Sequence, residues 1–162
     1  MENVALPDDQ EFKPASDLVD PVLVACFQTW QDIAGKRFAP SRKEIVPARF
    51  REALRTIFLM EVVAEGEDFR FALGGETLVG FMGGRHKGEL LSSLPSTPMY
   101  DGMRLMFGRC VALKAPVARG PFRVVRDKFD SLQMEVLVLP LSEDGTSVTD
   151  LLGAVTLKSE SV

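Results

Sequence analysis

LQMEVLVLPLSEDGTSVTDLLGAVTL, residues Leu132–Leu157, is the stretch whose reading decides the fold. Leu132, Met134, Val136 and Val138 fall on one side of a strand, because strand side chains alternate with period two. The other side opens polar with Gln133 and Glu135, then turns apolar with Leu137 and Leu139. A strand that becomes apolar on both sides runs from a sheet margin into covered territory. Pro140 has no amide to donate, so the strand should end or meet an edge there. Ser142-Glu143-Asp144-Gly145 carries turn chemistry, and Leu151–Leu157 should return as the partner strand.

Working outward, Thr97-Pro98 announces a long helix, with Thr97 as cap and Pro98 in the first position. Met99, Met103, Met106, Phe107, Cys110 and Leu113 make its apolar stripe. Pro116 and Gly120-Pro121 interrupt the chain beyond this helix, and Phe122-Arg123-Val124 suits a short strand. Upstream, Ile57–Ala64 and Asp68–Leu73 read as a hairpin around Glu65-Gly66-Glu67. The glycine pairs Gly74-Gly75 and Gly83-Gly84 bracket a short helix over Glu76–Met82, and another short segment covers Glu89–Leu94. Asp20-Pro21 caps a leading helix whose stripe includes Val19, Leu23, Cys26, Phe27, Trp30 and Ile33, and Gly35 ends it. Pro47 should open a second helix, PARFREALRTI. Residues 1–16, acidic and proline-punctuated, read as a flexible arm. The expected domain covers 17–158, with leading helices over about 17–56 and a tail at 159–162.

Composition narrows the classes. The chain has 46% hydrophobic and 26% charged residues, as a globular domain does. No apolar run approaches the ~20 residues of a membrane helix, and the N-terminus lacks the basic and apolar regions of a secretory signal. A cytoplasmic location is the expectation. Cys26 and Cys110, with the single histidine His86, give no metal-ligand spacing, so no metal site is expected. Charge is segregated: residues 1–20 balance at −5, 36–55 at +5, 104–128 at +6 and 130–162 at −5. Such segments can neutralise one another within the fold. No aromatic-rich basic motif accompanies them, so nucleic acid is not an expected partner.

The element order resembles the PAS fold: two strands, a helical crossover and three more strands in one antiparallel sheet. Three stretches resemble the bacterial PAS-like family known as PAS_5. WQDIAGKRFAPSRKEIVPA (Trp30–Ala48) has a Trp-bearing helix, a basic Gly-Lys-Arg segment, a Pro-Ser-Arg step and an Ile-Val-Pro step. FRFALGGETLVGFMGGRHKGELL (Phe69–Leu91) is similar to the family's strand-to-helix crossover, and VLPLSEDG (Val138–Gly145) to its Pro-Leu-Ser turn. Gly75-Glu76 and the run before Gly88 depart from the commoner family pattern. The resemblance implies an α+β fold with a five-stranded antiparallel sheet, a helical crossover and a leading amphipathic N-terminal helix. It also implies a sensory or protein-association role.

Chemical motifs are sparse on these residues. No Asn-Cys-Arg-Phe stretch of a photoactive flavin domain is present. His86, the one candidate axial ligand for haem, sits among glycines and charges and reads as an exposed loop residue. Neither cofactor is expected. No nucleophile elbow or phosphate-cradling loop occurs, and no catalytic residue is assigned; the expectation is a non-enzyme. The two cysteines read as small buried hydrophobes. Phe71, Leu78, Phe81, Met103, Phe107, Cys110, Met134 and Val136 are candidates to line a pocket for a small apolar molecule between the long helix and the sheet. Equally, they could fill a core and leave a ligand-free interaction adaptor. Val19, Leu23, Phe27 and Trp30 are candidates for an interface, in a homodimer or with a signalling protein. The same stripe could instead pack in cis.

Overall fold

A computed structural model describes residues 12–127 and 130–159 of the chain. Among these, six strands form one antiparallel sheet: β1 Phe12–Lys13, β2 Ile57–Val63, β3 Asp68–Gly74, β4 Val117–Asp127, β5 Asp130–Leu141 and β6 Asp150–Ser159. Their order across the sheet is β1-β4-β5-β6-β2-β3. Three α-helices accompany them: α1 Pro21–Ala34, α2 Glu76–Met82 and α3 Pro98–Leu113.

β5 holds the centre because both of its sides are apolar. Met134, Val136 and Val138 face a layer built by α2 and α3, with Phe58, Phe107 and Cys110 in the same cluster. Leu137, Leu139 and Leu141 face α1, against Leu23, Cys26 and Trp30. The sheet is therefore covered on both sides, as its two-sided apolar run requires. Pro140 does lie at an edge: β4 stops pairing at Val138, so Pro140 has only Leu151 of β6 beside it. Its carbonyl accepts a hydrogen bond from Trp30 Nε1 at 3.0 Å.

Side-chain size sets the fit on the α3 side. Phe58 of β2 pairs with Gly153 of β6, and a Cβ at residue 153 would overlap the Phe58 ring. That ring is thus free to lie across β6 and meet Phe107, with centroids 6.0 Å apart.

Several expectations are corrected. The sheet has six strands, not five. The additional one, β1, falls in the stretch expected to be a flexible arm, and Phe12 and Lys13 pair with Arg119 and Ala118. Residues 1–11 and 160–162 lie outside the described residues. The helix expected from Pro47 is a tight 3-10 segment over Pro47–Ala53, broken by non-helical torsions at Phe50. Its length is too short for cooperative α-helix formation to offset the non-helical torsions of Phe50, φ −118° and ψ 31°. The short segment expected over Glu89–Leu94 shrinks to a single turn, Leu91–Ser93. Leu113, assigned to the inner stripe of α3, is 55% exposed because it is the last residue before the helix ends.

The capping expectations hold. Asp20 Oδ1 accepts from the Val22 amide at 2.8 Å, and Thr97 Oγ1 from the Tyr100 amide at 3.3 Å. The stripe on α1 packs in cis. Leu23 and Trp30 are buried against the chain's own sheet, which is the cis arrangement that the sequence left open beside an interface. Phe27 stacks on Trp30 at 6.2 Å and is half-buried, while Val19 is 65% exposed.

Segregated charge is partly neutralised within the chain. Lys13 pairs with Glu135, Lys158 with Asp20, and Arg42 with both Glu61 and Asp150. The packing of α1 can be tested at Trp30. Trp30→Ala should lower stability by about 3–5 kcal/mol, the cost of a buried aromatic truncation, read from urea unfolding. A protein of unchanged stability but smaller hydrodynamic size would instead place Trp30 in an interface.

Asp20 confers a dependence on pH. Burial pushes its carboxyl up, but hydrogen bonds from Lys158, the Val22 amide and Thr156 outweigh that and hold it below its ordinary value of 3.8. The unfolded chain therefore takes up this proton first as pH falls. The stabilisation is complete above pH 3.8 and is lost as pH drops through the lower folded value. Asp20→Asn should lower the melting temperature near neutrality, and the gap from the parent should narrow below pH 3.8. A gap independent of pH would show that the charge contributes nothing.

Candidate functional site

The space between α2, α3 and the sheet contains a cavity of about 60 Å³. Its floor is built by rows that cross the sheet. Arg119 of β4 pairs with Val136 of β5, which pairs with Val155 of β6, and all three side chains line the cavity. The next row contributes Phe122 and Met134. Met99, Met103, Met106 and Phe107 of α3 form the roof, and Leu78 and Phe81 of α2 close one side. Methionines are unbranched and polarizable, so such a roof adapts its shape at low cost.

Of the residues expected to line a pocket, Leu78, Phe81, Met103, Phe107, Met134 and Val136 do so. Cys110 does not. It is fully buried one turn further along α3, with Sγ directed at the Val138 carbonyl 3.8 Å away. Phe71 also faces elsewhere, into a separate depression that includes Val79, Met82 and His86. Leu78 lies between the two spaces and lines both.

Arg119 is the residue that sequence reading missed. It is 6% exposed, and its guanidinium carbon lies 3.7 Å from the Phe122 ring centroid. A bulge creates this stack. Between Arg119 and Phe122 the strand advances three residues while β5 advances two, from Val136 to Met134. Without the additional residue, positions 119 and 122 would point to opposite sides of the sheet. Gly120 makes the bulge possible: its φ is +101°, and a Cβ there would come within 2.5 Å of the Met134 carbonyl oxygen. The stack relieves part of the cost of burying a cation, since the ring face is electron-rich. The signal was present as Val117-Ala118-Arg119, whose alternation places Arg119 on the Val117 side. Counting back from Val124 and Phe122 gives the opposite answer, because it runs through the bulge.

Other candidate groups prove structural. His86 is not the exposed loop residue expected. Its Nδ1 is 2.6 Å from Glu89 Oε2, and its ring packs near Phe71 at 5.7 Å. Asp144 holds the β5–β6 turn. It accepts from the Ser147 hydroxyl and amide, the Thr146 amide and the Ser142 hydroxyl, and these bonds hold its carboxyl well below the usual range. Burial pushes the Cys26 thiol up to about 12 and raises Cys110 further. Neither carries appreciable thiolate near neutrality, so neither is a ready nucleophile. Among the described residues, no group of three or more His, Cys, Asp or Glu could hold a metal ion. No helix among them is long and apolar enough to cross a membrane.

An antiparallel sheet with its helical crossover on one side, bounding a small cavity, is a PAS-like α+β arrangement. A family model described as PAS domain (PAS_5) matches residues 19–156, and the chain belongs to that family. It is thereby a module of a sensory and regulatory class. No curated protein and no solved structure matches it.

The bulge yields a direct test. Gly120→Ala places a side chain at positive φ against the Met134 carbonyl, and should cost about 1–3 kcal/mol. Carbon-13 methyl spectra should show Met134 and Met103 displaced, reporting the disturbed Arg119–Phe122 stack. Unchanged stability and spectra would mean that the bulge does not shape the cavity.

Proposed function

We propose that this protein is a non-catalytic sensory module that binds a small, largely apolar molecule in the α3–sheet cavity and passes the event on through protein association. The observation that carries this reading is the cavity itself, roofed by methionines and floored by one buried cation among apolar side chains. Pockets for small molecules are mostly apolar with a few placed polar groups, and this lining has that character.

A route for the signal is built into β5. Met134 and Val136 line the cavity, while Glu135, between them, points to the other side of the sheet. There its carboxylate accepts from the Val19 amide at 2.9 Å and the Asp20 amide at 2.7 Å, at the start of α1. Displacement of β5 by a ligand is thus felt at the residues that lead into α1. The exposed Val19 and half-buried Phe27 are the two residues of the α1 stripe's interface set that remain accessible to a second chain.

One observation favours a second reading, a ligand-free adaptor. The volume of about 60 Å³ is small beside the ~150 Å³ of an engineered apolar cavity that holds benzene. Native mass spectrometry against the denatured mass separates the two readings. A mass excess lost on denaturation identifies a carried ligand, and a bare polypeptide at high protein concentration favours the adaptor. Met103→Trp provides the matching variant. On the sensor reading the indole fills the cavity, so ligand binding disappears while the melting temperature changes little. A fall of many degrees would show that the cavity has no room to be filled.

A further inference from the structure

We infer that the cavity selects small carboxylates, an anionic head on a short apolar tail, with Arg119 as the residue that recognises the head. The inference rests on the ligand-binding reading above and names the ligand class.

Three observations carry it. First, Arg119 is the one charged side chain among the described residues that line the cavity; all of its lining neighbours are apolar or glycine. Second, its position is built, not incidental. The bulge at Gly120 turns Arg119 onto the α3 side, into a row otherwise made of Phe12, Val136 and Val155. Desolvating a guanidinium there is costly, and an apolar side chain at the same register position would avoid that cost. Third, the guanidinium carbon lies 3.7 Å from the Phe122 ring centroid, a contact that restricts its movement before any ligand arrives.

The chemistry of the group then names its complement. A guanidinium is a planar fork of five N–H donors that matches a carboxylate with two parallel bonds. With five donors it can keep other partners and still serve a ligand head. The fork is permanently charged, so it favours an anion over a neutral isostere at any physiological pH. The tail must be short and flexible to fit a volume of about 60 Å³ beneath adaptable methionines.

The probes are butyrate and hexanoate, each against its primary amide, which keeps shape and removes charge. They are titrated into the full chain labelled with carbon-13 at the methionine methyls. The expected result is displacement of the Met103, Met106 and Met134 signals, with the acids binding at least roughly tenfold tighter than the amides. Arg119→Met should abolish that preference and leave binding of the amides in place. Arg119→Lys should retain a preference for the acids but weaken their binding several-fold, since the fork is lost. If Arg119→Met fails to fold, the acid-to-amide ratio in the parent and in Arg119→Lys still decides the matter. Equal binding of acids and amides would overturn the carboxylate assignment while leaving the pocket intact. No displacement by any of the four probes would overturn the ligand-binding reading for small apolar tails, and this inference with it.

Discussion

The carboxylate of Glu135 is the interaction on which the assembly of this domain turns. It is 3% exposed, in the middle of the central strand, where an unpaired charge would cost several kcal/mol. Among the described residues, its donors come from the segment that leads into α1. Lys13 Nζ lies at 2.7 Å, the Val19 amide at 2.9 Å and the Asp20 amide at 2.7 Å. One buried anion thereby fastens β1, the turn after it and the start of α1 to β5. The two amides belong to the residues that lead into α1, and as buried or part-buried donors they need acceptors, so the bonds meet a need on both sides. Asp20 repeats the arrangement one step outward, capping α1 while its other oxygen takes Lys158 of β6 at 3.1 Å. With α1 held there, Leu23, Cys26 and Trp30 cover the leucine side of β5, and that layer of the core becomes possible.

This dependence on one distant clamp explains which parts of the fold were legible in the sequence. Elements whose signal is local were read at nearly their true bounds. The β2–β3 hairpin follows from two apolar runs around Glu65-Gly66, and α3 from Thr97-Pro98 and its methionine spacing. Elements whose existence depends on a distant partner were not. β1 is two residues long and has no pattern of its own; it is a strand because Lys13 reaches Glu135 and Phe12 pairs with Arg119. The Pro47–Ala53 segment carries helical spacing, but Phe50 leaves the helix to bury itself against α1 and the sheet. The choice between cis packing and a dimer for Trp30 also lay beyond periodicity. Its indole needed an acceptor, and the Pro140 carbonyl at the sheet edge provides one.

The candidate site shows the same division. Its apolar wall was readable, because Leu78, Phe81, Met103, Phe107, Met134 and Val136 lie on inward faces of regular elements. Cys110 was misplaced by about one turn of helix: it shares the inner stripe of α3 with Met103 and Met106, but the cavity ends before it. Phe71 was misplaced because Leu78 divides two spaces that a sequence pattern cannot separate. Arg119 was ambiguous for a geometric reason, since its phase differs when counted from Val117 and from Phe122. A bulge shifts strand phase by one residue, and every side chain before it moves to the other side of the sheet.

The bulge also links the two halves of the molecule. β4 is the neighbour of β1 on one side and of β5 on the other, so it touches both strands that the Lys13–Glu135 pair joins. Arg119 pairs across the sheet with Phe12 and with Val136, and Val136 is the residue after Glu135. On the proposed ligand-binding reading, a group drawn towards Arg119 acts on the strand that pairs with β1 as well as on the residue beside the clamp. On the α1 side, the same displacement changes the reach between Glu135 and the amides of Val19 and Asp20. Hydrogen bonds weaken steeply once their geometry is lost, so a shift of a few tenths of an ångström is felt there before the leucine layer beneath α1 has moved. That proposed route depends on the close packing around the cavity, because a tightly packed core transmits displacement instead of absorbing it.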